Sequence, residues 1–371
     1  MRVLVCIPCL MTGGTEIQTL SLVEALVGDG HTVGVACYFE HAPEMADRYR
    51  RVGAEVILLS PEGVRPVGIR ATIAHLWRGL RGAVKGFRPD AAHVQYMAPG
   101  ALPVIILKAL GVKKIIATTH TPGDIYSPNG LRIIRLLSAT CLTAFQCITE
   151  RAERSYFGTS SIFDGKLRRH FTIYNNIPSH ITLRDEPRRP LDSASPITVG
   201  VVSRLEHIKG MDFVVPAFAI AAANDPRLRL VVAGDGSQRS LMEAQAREAG
   251  IADRVEFLGR QPQSALPAVY DSIDILLMPS RSEGFGLTAI EGMARGCVPV
   301  VSEVGGLPEV VTPGTGLLHP SEDVAALAER IERLAADPSL LSSLSAAALS
   351  RARIFSPSAY AAQIKQLYAV L

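Results

Sequence analysis

The sequence predicts two α/β domains, each a doubly wound parallel sheet. Three observations predict it. The chain has 371 residues, long for one hydrophobic core and usual for two domains. Short apolar runs alternate with helical patterns, as in parallel strands joined by crossover helices. One proline-rich, charged stretch, Arg184 to Pro196, breaks that rhythm and reads as a linker. The expected domains are 1–185 and 186–356, with a last helix, 357–371, packing back on the first. A cleft is expected between the two halves, since open parallel sheets bind ligands outside the carboxyl ends of their strands.

The first half begins with a strand at Arg2–Ile7. Thr15–Gly28 follows as an amphipathic helix with Ile17, Leu20, Leu22 and Leu26 on its apolar face. Strands are expected at Thr32–Cys37, Val56–Leu58, Ala91–Val94, Lys114–Thr118, Ala144–Ile148 and Phe171–Ile173, and a helix at Ile69–Phe87. After the linker, strands are expected at Ile197–Val202, Arg229–Ala233, Val255–Leu258, Ile275–Met278 and Val298–Val301. Helices are expected at Asp212–Ala223, Glu243–Ala249, Ala268–Ser272 and Leu287–Arg295. The end reads as helical from Ser321 to about Arg353, and Pro357 opens the last helix.

Composition is that of a globular protein: 48% hydrophobic, 20% charged, net charge +3. Residues 1–180 carry 20 Lys and Arg against 13 Asp and Glu, and the remainder 18 against 22. A basic first half suits an anionic acceptor or an anionic membrane surface. No apolar run approaches the roughly 18–20 residues that span a bilayer. The N-terminus reads as a strand and not as a signal peptide. Cys6-x-x-Cys9 is the one close cysteine pair, and no zinc-site spacing accompanies it. A cytoplasmic protein is expected, with no metal and no cofactor.

The most informative segment is Ser282-Glu283-Gly284-Phe285-Gly286-Leu287-Thr288-Ala289-Ile290-Glu291-Gly292. Glu283 lies in a glycine turn and Glu291 about one turn into the following helix. The amides between them form an anion site. A phosphate cradle flanked by two carboxylates suits a nucleotide sugar, one acid accepting from sugar hydroxyls and the other from ribose. The competing reading is a capped surface helix with two solvated acids. Ser203-Arg204-Leu205-Glu206-His207-Ile208-Lys209-Gly210 follows a strand, so Arg204 and Lys209 can neutralise a diphosphate. Gly234-Asp235-Gly236 also follows a strand and alone is a weak signal.

These segments, with Gly13-Gly14-Thr15-Glu16 and Val304-Gly305-Gly306-Leu307-Pro308-Glu309, stand in the order found in the retaining glycosyltransferases of family 4. The chain resembles that family over nearly its whole length, most strongly from Ile197 to Leu318. The resemblance implies the two-domain GT-B fold. It implies that Arg204 and Lys209 bind the donor diphosphate and that Glu291 holds the ribose. Glu283, with Gly284, Phe285, Gly286 and Leu287, would hold the donor sugar and phosphate. Gly13 and Gly14 would approach the phosphates, Gly234 would line the donor site, and the segment around Arg260 would face the base. His120 matches the family's cleft histidine. His93 is a weaker match, because the family's second histidine is here Gln95. In Tyr174-Asn175-Asn176, Asn176 stands where relatives carry glycine and is expected to take the left-handed turn.

The implied activity is metal-independent transfer of a hexosyl or N-acetylhexosaminyl group from a UDP-sugar, or from GDP-mannose, to a glycan, lipid-linked or small-molecule acceptor. No Asp-x-Asp metal motif is present. Two alternatives remain open: a non-hydride sugar-nucleotide epimerase, and an inactive nucleotide-sugar-binding protein. No nucleic-acid partner is expected. In the helix 69–87, Ile73, Leu76, Trp77, Leu80, Val84 and Phe87 share one face, and Arg70, Arg78, Arg81, Lys85 and Arg88 form an adjacent stripe. Either that face is buried in the domain, or residues 69–88 rest on anionic lipid at the inner face of the cytoplasmic membrane.

Overall fold

The computed structural model describes residues 1–95, 97–188, 192 and 194–371. Within the expected linker, residues 189–191 and 193 lie outside the described residues. The chain divides into two compact units, Met1–Asn176 with Pro357–Leu371, and Ile177–Ser356.

In the first unit the strands are β1 (Arg2–Ile7), β2 (Thr32–Cys37), β3 (Glu55–Leu58), β4 (Ala91–Gln95), β5 (Lys114–Thr119), β6 (Ala144–Cys147) and β7 (His170–Thr172). Among the described residues they form one parallel sheet of order β3-β2-β1-β4-β5-β6-β7. Its helices are α1 (Gly14–Gly28), α2 (Pro43–Arg51), α3 (Ile69–Phe87), α4 (Met97–Ala109), α5 (Pro128–Cys141) and α6 (Glu150–Phe157). The pleat sends alternate side chains to two cores. Val3, Val5 and Ile7 of β1 join α1, while Leu4 and Cys6 join α3, α4 and α5 on the other face. Strands covered on both faces are therefore apolar almost throughout, as in other all-parallel sheets.

The second unit holds β8 (Ile197–Val202), β9 (Leu228–Ala233), β10 (Val255–Gly259), β11 (Ile275–Met278), β12 (Val298–Ser302) and β13 (Leu317–His319), parallel in the order β10-β9-β8-β11-β12-β13. Its helices are α7 (Met211–Ala223), α8 (Arg239–Glu248), α9 (Leu266–Asp271), α10 (Leu287–Ala294), α11 (Leu307–Val310), α12 (Val324–Ala336) and α13 (Pro338–Ala352). The last helix, α14 (Pro357–Ala369), belongs to the first unit. There Tyr360, Ile364, Leu367 and Tyr368 enter the α1 core, and Lys365 pairs with Asp29 at 2.7 Å.

Several elements depart from the sequence reading. Helices α2, α4, α5, α6 and α11 and strand β13 were not anticipated by it. The expected helix from Ser321 to Arg353 is two helices, because Asp337 caps a new one by accepting from the Leu340 amide and Pro338 occupies its first turn. Helix α1 is buried around most of its circumference, Gln18, Thr19 and Ser21 included, and is not amphipathic. Asn176 does not take a left-handed turn; positive φ among described non-glycine residues occurs at Arg88 and Glu322. Instead its amide donates to Gln18 Oε1 at 3.0 Å, and its carbonyl accepts from Gln18 Nε2 at 2.7 Å. In α3 the buried stripe is Leu76, Leu80, Ala83 and Phe87, and Ile73 and Trp77 are exposed.

The boundary between the units lies at Ile177, ahead of the proline-rich stretch, because 177–188 adheres to the second unit. The Ile177 amide donates to Phe355 and the Arg184 amide to Ala294. Arg188 donates to the carbonyls of Arg295 (2.9 Å), Ile273 (2.6 Å) and Tyr270 (2.6 Å) and lies 3.5 Å from Asp274. Arg188→Ala is expected to destabilise the second unit by about 1.5–3 kcal/mol, the contribution of hydrogen bonds to a charged group, measured as a lower urea midpoint.

Candidate donor-binding site

In the second sheet, β9 and β11 lie on opposite sides of β8. Successive crossovers diverge there, leaving a crevice at the strand ends. The loops on its two sides carry the predicted cation and the predicted acid. Lys209 ends the loop after β8, Glu283 lies in the loop after β11, and Lys209 Nζ donates to Glu283 Oε2 at 2.6 Å. Both side chains are half-buried. Ser203, Lys209, Glu283 and Thr288 line one small cavity, so the first turn of α10 opens onto the same space as the ion pair.

Glycines let these loops meet. Gly305 has φ +55°, and any Cβ there would run into the Glu283 carbonyl. The Gly306 amide donates to that same carbonyl at 3.2 Å. Gly286, with φ +108°, precedes α10 in a conformation that side chains resist. Leu287 opens that helix, and Phe285 is buried edge-on against Phe355 with ring centroids 5.7 Å apart. Phe285 therefore anchors the turn by packing, and Gly284 beside it is half-buried. On the neighbouring strand, the Gly234 amide donates to Gly259 at 2.8 Å and the Leu205 amide to Asp235 at 2.9 Å. Arg204 and Arg260 are exposed at the carboxyl ends of β8 and β10.

Glu291 is 8% exposed, and Tyr270 donates to its Oε2 at 2.6 Å. Burial pushes the Glu291 carboxyl up to about 7, with the Tyr270 hydrogen bond opposing the rise. The sequence did not single out Tyr270. It sits in a short apolar helix, where a tyrosine resembles any other core residue.

In the first unit, His120 follows β5 and is half-buried. Its Nε2–H donates to Gln95 Oε1 at 2.8 Å, and burial lowers its pKa to about 4. His93 is buried between Tyr368 OH at 2.9 Å and Thr118 Oγ1 at 2.6 Å, with its pKa lowered by burial to about 3. Both rings are neutral near pH 7. Gln95, whose place in the sequence weakened the match at His93, holds His120 in place. Gly13 caps α1 and Gly14 begins it; a Cβ on Gly13 would meet the buried Glu16 carboxylate, to which Cys9 Sγ donates at 3.1 Å.

Two parallel-sheet units with glycine-built strand-end loops define the GT-B class. Residues 184–351 match the model of the glycosyl transferases group 1, and residues 12–155 that of glycosyltransferase family 4. A D-inositol 3-phosphate glycosyltransferase of Streptomyces bingchenggensis is 35% identical over 334 residues, covering 83% of this chain and 73% of the relative. The chain belongs to glycosyltransferase family 4. A D-inositol 3-phosphate glycosyltransferase of Corynebacterium aurimucosum is 38% identical over 46% of this chain, and a 2-deoxystreptamine glucosyltransferase of Streptomyces kanamyceticus 40% identical over 38%. The chain spans only 42% and 36% of the lengths of those two relatives. Among solved structures, Anabaena HepE in complex with UDP superposes with TM-score 0.79 at 19% identity, covering 100% of both chains.

Glu291 gives a stability test. Its folded pKa lies above the ordinary carboxylate value, so the folded state holds a proton that the unfolded state releases between about pH 4.5 and 7. Stability from this group is therefore lost as pH rises through that window. Glu291→Gln keeps an acceptor for Tyr270 and removes the charge. It is expected to stabilise the free protein by about 3 kcal/mol at pH 8 and by less than about 1 kcal/mol at pH 5, read from urea midpoints at the two pH values.

Proposed function

We propose that this protein is a retaining, metal-independent glycosyltransferase. It moves a hexosyl or N-acetylhexosaminyl group from a nucleotide diphosphosugar to a hydroxyl of a glycan, a lipid-linked sugar or a small molecule. The observation that carries this reading is the Lys209–Glu283 pair at the mouth of α10, in the crevice beside β8. Lys209, with Arg204 and the α10 amides, takes the diphosphate and offsets the charge that grows on it as the glycosidic bond breaks. Glu283, released from Lys209, accepts from the sugar hydroxyls. Glu291 accepts from the ribose, oriented by Tyr270. Gly284, Gly286 and Leu287 bring backbone amides to the phosphate; Gly13, Gly14 and Gly234 allow close backbone approach, and Arg260 flanks the base. Neutral His120, held by Gln95, hydrogen-bonds the transferred sugar.

The acceptor oxygen attacks from the side the diphosphate leaves, through a short-lived oxocarbenium ion. The departing phosphate oxygen takes the acceptor proton, so configuration is retained. A UDP-sugar is favoured as the donor, UDP being the ligand in HepE; GDP-mannose is the alternative donor. Family membership and the 2-deoxystreptamine glucosyltransferase relative support a sugar-transfer role. We place the enzyme in the cytoplasm, in glycan or polysaccharide synthesis.

A thermal-shift series with nucleoside diphosphates and their sugars tests the donor. The cognate ligand is expected to raise stability by about 2.7 kcal/mol at a hundredfold excess over its Kd. With that donor and a working acceptor, Lys209→Ala is expected to lower kcat by about 10²–10³ with an unchanged melting temperature. Near-normal turnover would reject the role given to Lys209, and epimer formation from donor alone would reject the transferase.

A further inference from the structure

We propose that the outer layer of α3, α4 and α5 docks on an anionic lipid surface. These three helices pack side by side over one face of the first sheet. Their outward surface keeps large apolar side chains that the core does not use. Ile69 is 70% exposed, Ile73 43% and Trp77 41% on α3, Ile105 44% on α4, and Ile133 57% and Leu136 62% on α5. The chain just ahead of α3 adds Val67 at 93%.

Charge distinguishes this layer from an ordinary patch of exposed aliphatics. From Gly63 to Thr149 the chain has eleven Lys and Arg and two acids, Asp90 and Asp124. Neither acid lies on α3, α4 or α5. Arg78, Arg81, Lys108, Arg132 and Arg135 are exposed on those helices. An apolar band fringed by cations, with no carboxylates among it, matches the acyl boundary and the anionic headgroups of a bilayer. Long basic side chains can lie along the apolar band and keep their charges at headgroup level. The same charge opposes a second copy of the chain, since both faces would be positive. Aliphatic side chains and a single aromatic, Trp77, suit lipid better than the stacked bases of a nucleic acid. Among the described residues no helix is long and apolar enough to cross a membrane, so the contact is peripheral.

Topology gives the contact a direction. In an all-parallel sheet every crossover helix starts at the carboxyl edge of the strands. Ile69 and Ile73, at the start of α3, therefore lie toward the edge that carries Gly13 and His120. The exposed Ile125, between His120 and α5, lies there too. A lipid-linked acceptor would be presented at that edge, a step that rests on the transferase reading; the docking does not.

Trp77 is the one tryptophan of the chain, so its emission reports the contact without modification. The full chain is mixed with vesicles of phosphatidylcholine alone, or of phosphatidylcholine with phosphatidylglycerol, at low and high salt. A blue-shifted emission and co-sedimentation are expected with the phosphatidylglycerol vesicles, weakened by salt and absent with phosphatidylcholine. Arg78→Glu with Arg81→Glu is expected to weaken binding by about tenfold or more, and Ile73→Asp to remove the blue shift, both with unchanged melting temperature. The proposal is overturned by unshifted emission without sedimentation, by equal binding to uncharged vesicles, or by tighter retention on duplex DNA than on vesicles. No donor is present in this assay, so its failure leaves the transferase reading standing, and a failed transfer assay leaves the docking standing.

Discussion

The pairing of Lys209 with Glu283 is the interaction on which the candidate site depends. Two half-buried charges gain little from each other when water reaches them, and more as it is excluded. Here each is the other's partner in the free protein. In the proposed reading, a diphosphate takes Lys209 from Glu283 and so frees a carboxylate beside the departing group. The two opposite charges thus offset each other at the mouth of α10. Strand order makes this possible, because the β8 and β11 loops are neighbours only at the point where the crossovers diverge.

The acid–glycine–acid segment, the cationic loop and the alternation of strands and helices were legible in the sequence because backbone geometry dictates them. A glycine that must pass a carbonyl, as Gly305 passes Glu283, tolerates no other residue. A strand covered on both faces has to be apolar. The partners that hold individual side chains within each unit were not legible. Tyr270 orients Glu291 and Gln95 holds His120, yet each lies in an apolar stretch where no spacing marks it. Gln95 looked like the loss of a family histidine; in the structure its amide oxygen does the holding. Asn176 shows the reverse error, since a residue able to turn left-handed was instead fixed by Gln18. The split at Asp337 and Pro338 was written in the sequence as a capping pair, but the helical pattern on either side hid it.

The buried polar groups of the first unit form a chain of neutral contacts. Tyr368 on α14 meets His93, His93 meets Thr118, and Gln95, paired with Thr118 across β4 and β5, meets His120. Burial keeps both imidazoles uncharged. The last helix thereby reaches, through three hydrogen-bonded side chains and one strand pairing, the histidine at the sheet's carboxyl edge.

That return of the last helix also sets an order of events during synthesis. The first unit lacks Tyr360, Ile364, Leu367 and Tyr368 until residues 357–371 have been made. Between Asn176 and Pro357 the chain makes the whole 180-residue second unit, a wait of roughly 10–40 s at the usual rates of elongation. Throughout it the apolar face of α1 that these side chains cover stays exposed. The nascent first unit must pass that interval with its core unfinished.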